Sequence, residues 1–216
     1  MLEFEHQAWN RGYVRLAGVD EAGRGPLAGP VVAVALVFER EFLEAEAEGL
    51  LSEVNDSKQV SAPRRESIYK FLVGSPYVQI GIGFAEPAEI DSINIGKATY
   101  AVMSRALAQL SPLADHALVD GLPVPGLPCS STAIVHGDAL SLSIAAASIV
   151  AKVVRDRLLC DLDRIYPQYG FAKHKGYGTR EHMKALFEHG PSPVHRFSFR
   201  PVRDAAQIIA RLEKQK

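Results

Sequence analysis

The chain has 216 residues, of which 47% are hydrophobic and 23% are charged, a composition that suits one globular domain with a well-formed core. The N-terminus is acidic and no apolar run is long enough to cross a bilayer, so we expect a cytoplasmic protein without a signal peptide or membrane contact. The formal net charge of −1 gives no sign of a nucleic-acid binder.

In chain order, the first half of the sequence predicts strands and helices in alternation. Two apolar runs over 14–20 and 30–38, joined by a connection rich in Gly and Pro, predict an antiparallel hairpin. The remaining predictions in this half are helices over 39–48, 62–73 and 95–110, and strands over 77–84 and 117–119.

The second half is predicted to be largely helical. After a loop at 123–128, the pattern predicts a long helix over 139–165, an irregular segment over 166–177, and shorter helices over 180–188 and 203–214. Strands early, helices late and mixed connections indicate an α/β or α+β domain.

The charges are unevenly distributed along the chain. Residues 1–150 hold 10 Lys and Arg against 18 Asp and Glu, whereas residues 151–216 hold 14 against 7. This asymmetry suits a protein in which one region holds cations through carboxylates and another meets a polyanion. Chance clustering on solvated helix faces would give the same totals, so both interpretations stay open.

Four acidic residues stand where functional side chains are expected. Asp20 and Glu21 end one apolar strand, Asp120 ends another, and Asp138 opens the long helix. Strand ends beside glycine turns are where α/β proteins expose functional groups. Carboxylates brought together repel each other unless a cation neutralises them, and Mg²⁺ and Mn²⁺ favour such oxygen ligands. Two ions about 4 Å apart can activate water and stabilise the leaving oxygen in phosphodiester cleavage.

Each of these acids also has an ordinary structural interpretation. Asp138 suits a helix N-cap, Asp120 before Gly121 suits a turn, and the adjacent pair of acids could begin a loop. Spacing alone therefore leaves a shared metal site and separate local roles open.

A series of short motifs carries a further signal. In chain order they are GVDEAGRGPLAGP at 18–30, NDSK at 55–58, EIDSINI at 89–95, VDG at 119–121, GD at 137–138, SIAAASIVAKVVRD at 143–156, YP at 166–167, HKGYGT at 174–179 and GPSPVHR at 190–196. This ordered series resembles the ribonuclease HII family, the bacterial type 2 ribonucleases H, over about residues 14–203.

The resemblance implies an α/β fold, with a ribonuclease H-like mixed sheet flanked by helices and a helical C-terminal extension. It places the catalytic region at 14–203, including a helical C-terminal part from about 165, and a terminal helix at 204–216. Family members hydrolyse the RNA strand of RNA–DNA hybrids and incise at single ribonucleotides in duplex DNA, leaving a 3′-hydroxyl and a 5′-phosphate. The resemblance also implies a monomer, those two nucleic acids as partners, and Mn²⁺ or Mg²⁺ as cofactor.

By the same resemblance, four acids form the catalytic and metal-binding set: Asp20, Glu21, Asp120 and Asp138. The first three are expected to ligate metal directly, and Asp138 to complete the site through water or at a second ion. The resemblance assigns recognition of the ribonucleotide to the turn Gly23, Arg24 and Gly25 and to Tyr177. Glycine permits close backbone approach to a ribose, whose 2′-hydroxyl both donates and accepts hydrogen bonds.

Phosphate contacts are expected from Lys58 and Arg196 above all. Further candidates are Lys173, Lys175, Arg180, His174 and His195. Without the resemblance, Tyr177 would be interpreted as a packed aromatic residue and each cation as an ordinary surface charge. Two alternative functions remain, a DNA nuclease of related fold and a non-catalytic protein that binds hybrids.

Overall fold

The computed structural model describes residues 1–54 and 60–213. Lys58, one of the predicted substrate-binding residues, lies outside the described residues. The chain divides into two compact units. The first, called the sheet unit, contains Met1–Ala22, Val32–Phe84 and Thr99–Val153, and the second, called the helical unit, contains Gly23–Val31, Ala85–Ala98 and Val154–Lys216.

A five-stranded mixed sheet is the centre of the sheet unit, in the order β3-β2-β1-β4-β5. Its strands are β1 (Leu16–Ala22), β2 (Val31–Phe38), β3 (Val78–Ala85), β4 (His116–Asp120) and β5 (Ser130–Ile134). The predicted hairpin is confirmed, because β1 pairs with β2 in antiparallel fashion. On its other side β1 pairs in parallel with β4, which pairs in parallel with β5.

The helices complete the predicted fold, a mixed sheet with helices and a helical C-terminal region. They are α1 (Glu3–Asn10), α2 (Arg40–Glu46), α3 (Ala62–Gly74), α4 (Pro87–Ile93), α5 (Ile95–Ala108), α6 (Gly137–Leu140), α7 (Leu142–Ile165), α8 (Phe171–His174), α9 (Arg180–His189) and α10 (Arg200–Glu213). No helix within residues 1–54 and 60–213 has the length and apolar character needed to cross a membrane.

Helix α7 packs directly on β1 at Gly18. A Cβ atom at Gly18 would lie 2.1 Å from the carbonyl carbon of Ser143 and 2.2 Å from its oxygen. The side chains of Ala145, Ala146 and Ala147 on the same helix are fully buried. Small residues on both elements thus permit a close approach, and β1 is held beside the first turns of α7.

The predicted long helix starts three residues later than expected. Ser141 adopts an extended conformation, with φ −120° and ψ 127°, and separates the short α6 from α7. The final helix begins at Arg200 rather than at residue 203, since Pro201 is tolerated in the first turn. The sequence pattern did not predict α1, α4, α6, α8 or β5.

Candidate active site

Three of the predicted acids meet at the ends of neighbouring strands. Strands β1 and β4 run in parallel with Val19 opposite Val119, so Asp20 and Asp120 follow at the carboxyl ends of adjacent strands. Glu21 is the next residue of β1. Parallel pairing therefore brings together, at the carboxyl ends of β1 and β4, two segments that lie far apart in the sequence.

Asp20 is the buried member of this cluster, with 5% of its surface exposed. Burial raises the pKa of Asp20 well above the ordinary aspartate value, and the nearby charges of Glu21 and Asp120 raise it further. Hydrogen bonds from the Ser148 side chain and from the Glu21 backbone N–H, 2.7 Å from Asp20 Oδ1, act in the opposite direction. Asp20 is thus close enough to Glu21 and to Asp120 to be repelled by both.

Asp120 also fixes the segment that contains Asp138. Asp120 Oδ1 accepts a hydrogen bond of 2.7 Å from the backbone N–H of Gly137. Gly137 is the first residue of α6 and Asp138, which is half-buried, is the second. The N-cap position of α6 belongs to His136. The interpretation of Asp138 as the N-cap of the long helix is therefore wrong, because a separate short helix precedes α7.

The carboxylate cluster fits a divalent cation by its chemistry. Its side chains offer the oxygen ligands that Mg²⁺ and Mn²⁺ prefer, and their repulsion is a penalty that a bound cation would remove. Within residues 1–54 and 60–213, no three Asp, Glu, His or Cys side chains already enclose a metal position. Side-chain rotation would accordingly have to complete the ligand set.

In the helical unit, a buried arginine holds the predicted ribose-reading turn. Arg196 is fully buried, and its guanidinium donates to the carbonyls of Gly29 (2.8 and 3.0 Å), Gly23 (2.6 Å) and Arg24 (3.0 Å). Burial lowers the pKa of Arg196 to about 9. The prediction that Arg196 contacts phosphate is corrected, because its donors are directed at backbone carbonyls within the protein.

A second buried arginine, Arg155 of α7, braces the same loop. It donates to the carbonyls of Pro30 (3.0 Å), Ala28 (3.1 Å) and Lys175 (3.0 Å), and burial lowers its pKa to about 10. Gly23 has φ +103°, and a Cβ there would lie 2.1 Å from the Arg155 Nε atom. The first glycine of the turn is therefore required both by backbone conformation and by space.

Tyr177 lies against this turn. A Cβ built on Gly25 would be 3.7 Å from Tyr177 Cε1, and the Leu27 N–H donates 2.8 Å to the Gly176 carbonyl. Tyr177 is 48% exposed, so its ring is available to a ligand. The structure brings together the two features that were assigned to ribose recognition.

The other predicted phosphate contacts differ in their accessibility. Lys173 and Arg180 are exposed and Lys175 is half-buried, so all three remain predictions. His174 is 8% exposed and His195 is fully buried. The prediction that these two histidines assist at phosphate is corrected, because both rings lie in the interior of the helical unit.

Sequence reasoning missed the supporting roles of Arg155 and Ser148. Arg155 follows Ala147 and Ala151 at four-residue spacing on a buried face of α7 and precedes Leu159 on it. A cation in an apolar helical row indicates a buried arginine with internal acceptors. No comparable signal marks Ser148, since serine also occurs there as a small packing residue.

Comparison with known proteins gives a consistent result. The family model described as ribonuclease HII matches residues 17–202. A ribonuclease HII of Desulfitobacterium hafniense is 48% identical over 209 residues, covering 97% of this chain and 77% of the relative. A ribonuclease HII of Rhodospirillum rubrum is 53% identical over 191 residues, covering 88% and 86%. The crystal structure of ribonuclease H2 from Pyrococcus horikoshii superimposes with a TM-score of 0.76 at 27% identity, covering 91% of this chain and 99% of that one.

Proposed function

The chain belongs to the ribonuclease HII family and is a ribonuclease H, a hydrolase, and from this premise we propose that it cuts RNA–DNA hybrids and duplex DNA at single embedded ribonucleotides. The observation that supports catalysis most strongly is the burial of Asp20 and its crowding by Glu21 and Asp120, which together raise the pKa of Asp20. Such crowding disfavours the ionised cluster unless a cation balances it.

Asp20, Glu21 and Asp120 would hold the divalent metal on which this family depends, with Asp138 completing the site. When bound, Mg²⁺ or Mn²⁺ supplies an activated water and stabilises the charge on the leaving oxygen. The carboxylates, in their ionised form, would hold the cation at the scissile phosphate. Attack of water on phosphorus with departure of the 3′-oxygen gives the proposed products, a 3′-hydroxyl and a 5′-phosphate.

Recognition of the ribonucleotide belongs to the helical unit. The turn Gly23, Arg24 and Gly25 offers backbone groups that can approach a ribose closely, since glycine has no Cβ, and its backbone is held by buried arginines. Tyr177, in contact range of Gly25 and about half exposed, would pack on the neighbouring deoxyribose. A 2′-hydroxyl can exchange hydrogen bonds with the turn that a 2′-hydrogen cannot.

The phosphate backbone would be bound by exposed cations. Lys173 and Arg180 are exposed in the helical unit, and residues 151–216 hold 14 Lys and Arg against 7 Asp and Glu. Lys58 is proposed for the same role on its family motif. These contacts would hold the duplex without reading its sequence.

The test is a comparison of three end-labelled duplexes of one sequence: all-DNA, DNA with one ribonucleotide, and an RNA–DNA hybrid, in Mg²⁺ and in Mn²⁺. We expect cleavage of the last two and none of the first, and loss of all cleavage in Asp20→Asn. Equal cutting of all three duplexes would favour a DNA nuclease. Binding of the hybrid without cleavage in either metal would favour a non-catalytic binding protein.

A further inference from the structure

Three buried histidines lie beneath the segment that carries Tyr177. His182 and His195 are fully buried and His174 is 8% exposed. The rings of His174 and His182 stack with their centroids 4.5 Å apart and 11° between planes. The proposed reaction assigns none of these rings a role, although three polar rings in an apolar interior require specific partners.

The hydrogen bonds of two of these rings form a chain with one direction. The backbone N–H of Ser192 can only donate, and it lies 3.0 Å from His195 Nδ1, so His195 carries its proton on Nε2. That nitrogen is 3.0 Å from His182 Nε2, which must therefore accept. His182 consequently carries its proton on Nδ1, 2.9 Å from the carbonyl oxygen of Tyr177, to which it donates.

The third ring secures the other side of the same segment. The backbone N–H of Gly176 donates to His174 Nδ1 at 3.3 Å, so His174 carries its proton on Nε2. This nitrogen donates 2.7 Å to the carbonyl of Tyr169. His174 thus accepts from the residue before Tyr177, while His182 donates to Tyr177 itself.

This arrangement requires neutral rings, and the surroundings favour them. Burial lowers the pKa of His182, and burial together with the neighbouring His182 lowers that of His195 to about 3. A proton added to either ring would put two N–H groups opposite each other. This chain of hydrogen bonds therefore permits one set of tautomers, and its last bond fixes the backbone carbonyl of Tyr177.

We propose that His195, His182 and His174 are positioning residues that hold the Tyr177 segment against the Gly23–Gly25 turn and so set the response of the enzyme to a single ribonucleotide. Three hydrogen bonds hold the backbone of this segment. His182 donates to the Tyr177 carbonyl, the Gly176 N–H donates to His174, and the Leu27 N–H donates to the Gly176 carbonyl. The consequence for incision rests on the proposed function, whereas the tautomers do not.

Long-range ¹⁵N–¹H correlation spectra of the intact protein at neutral pH test the tautomers directly. We expect His182 in the Nδ1–H form and His174 and His195 in the Nε2–H form, with exposed His136 as the reference ring. Single-site substitutions of each histidine by Gln assign the signals. A doubly protonated His182, or His182 in the Nε2–H form, would overturn the proposal.

A double-mutant cycle tests the consequence. His182→Phe removes both nitrogens, whereas His182→Asn keeps an N–H donor near the Nδ1 position. We expect His182→Phe to lower kcat/KM for a single-ribonucleotide duplex about tenfold, and His182→Asn to recover most of that loss. In a Tyr177→Ala background, His182→Phe should change kcat/KM by less than about twofold, because its effect acts through Tyr177.

If the losses in kcat/KM caused by Tyr177→Ala and by His182→Phe multiply in the double variant, and thermal unfolding shows that the variants are folded, His182 has a general structural role. That result would overturn the proposal. Failure of His182→Asn to recover activity would do the same. If the wild-type protein does not cut the single-ribonucleotide duplex at all, the proposed function fails. The tautomer spectrum then decides alone whether the histidines hold this segment.

Discussion

At the scale of single residues, burial decides what each charged side chain does. Asp20 is buried beside two other carboxylates, and its pKa is raised. Arg196 is buried among carbonyl acceptors and holds a loop. The position of these acids at strand ends suggested the first of these environments but left separate local roles open, and the family resemblance assigned the acids to one site. The buried environment of Arg196 could not be predicted, because the residues next to Arg196 in the sequence do not reveal carbonyl acceptors that lie far away in the chain.

Replacement of Asp20 by Asn is expected to stabilise the metal-free protein at neutral pH. Because the folded-state pKa of Asp20 is raised, its contribution to stability is full at pH values below the unfolded pKa and is lost as pH rises through the folded pKa. Asn does not titrate, so the advantage of Asp20→Asn should grow with pH. We expect a Tm rise of about 2–4 °C in EDTA at pH 7.5, the shift that ~1 kcal/mol gives in a chain of this size.

The matched control is Asp161→Asn, which removes an exposed carboxylate paired with Arg164 at 2.9 Å. Exposed pairs contribute little, so its Tm should stay near that of the wild type at each pH. Thermal unfolding in EDTA from pH 4.5 to 8 provides the measurement. An Asp20→Asn variant that is equally stabilised at both ends of this range would contradict the interpretation of Asp20 as a repelled, buried acid.

Addition of Mn²⁺ is expected to raise the Tm of the wild-type protein, because a cation that binds the folded carboxylate cluster shifts the unfolding equilibrium. In Asp20→Asn, which has lost one ligand and part of the repulsion, the rise should be at most half as large. Differential scanning calorimetry in 5–10 equivalents of metal against EDTA, at constant ionic strength, measures both. An equal rise in the two proteins would place the metal elsewhere.

At the scale of elements, the close packing of α7 on β1 positions the site. This contact depends on Gly18, where any side chain would meet the backbone of Ser143. The strongly apolar strands β1, β2 and β4 were predictable from their sequences, as was most of α7. Strand β5 was not, because its SSTAI sequence is polar and largely exposed at the sheet edge. Helix α6 was not, because a four-residue helix has no periodicity to detect.

The substitution Gly18→Ala tests this packing. A methyl group 2.1 Å from the Ser143 carbonyl carbon must displace α7, and we expect a loss of about 3 kcal/mol in the free energy of unfolding. Gly74→Ala is the control, since a Cβ there meets nothing within 4 Å and should be neutral or slightly stabilising. Urea denaturation measures both variants. Similar stabilities for the two would refute the role of Gly18.

At the scale of the whole molecule, the uneven charge of the sequence corresponds to a division between units. The proposed catalytic carboxylates Asp20, Glu21, Asp120 and Asp138 belong to the sheet unit, and nearly all of the basic segment 151–216 belongs to the helical unit. The sequence left two interpretations of this asymmetry open. The proposed function adopts the one in which the acidic region holds cations and the basic region meets a polyanion.

Salt is therefore expected to weaken substrate binding more than turnover. For two or three phosphate contacts, KM should rise about ten- to fortyfold between 50 and 200 mM salt while kcat changes little. Lys173→Gln should reduce the slope of log KM against log salt. Lys70→Gln, an exposed lysine of the sheet unit that pairs with a glutamate as Lys173 does, should not. Equal slopes for the two variants would remove Lys173 from the phosphate-binding set.

The most direct test of the account is a cleavage map of a duplex that contains one ribonucleotide, labelled at both ends of the cut strand. We expect a single incision beside the ribonucleotide in Mn²⁺ or Mg²⁺, with a 3′-hydroxyl that a ligase or polymerase can use and a 5′-phosphate, and none in EDTA or with Asp20→Asn. Incision that ignores the ribonucleotide, or that persists in Asp20→Asn, would contradict it.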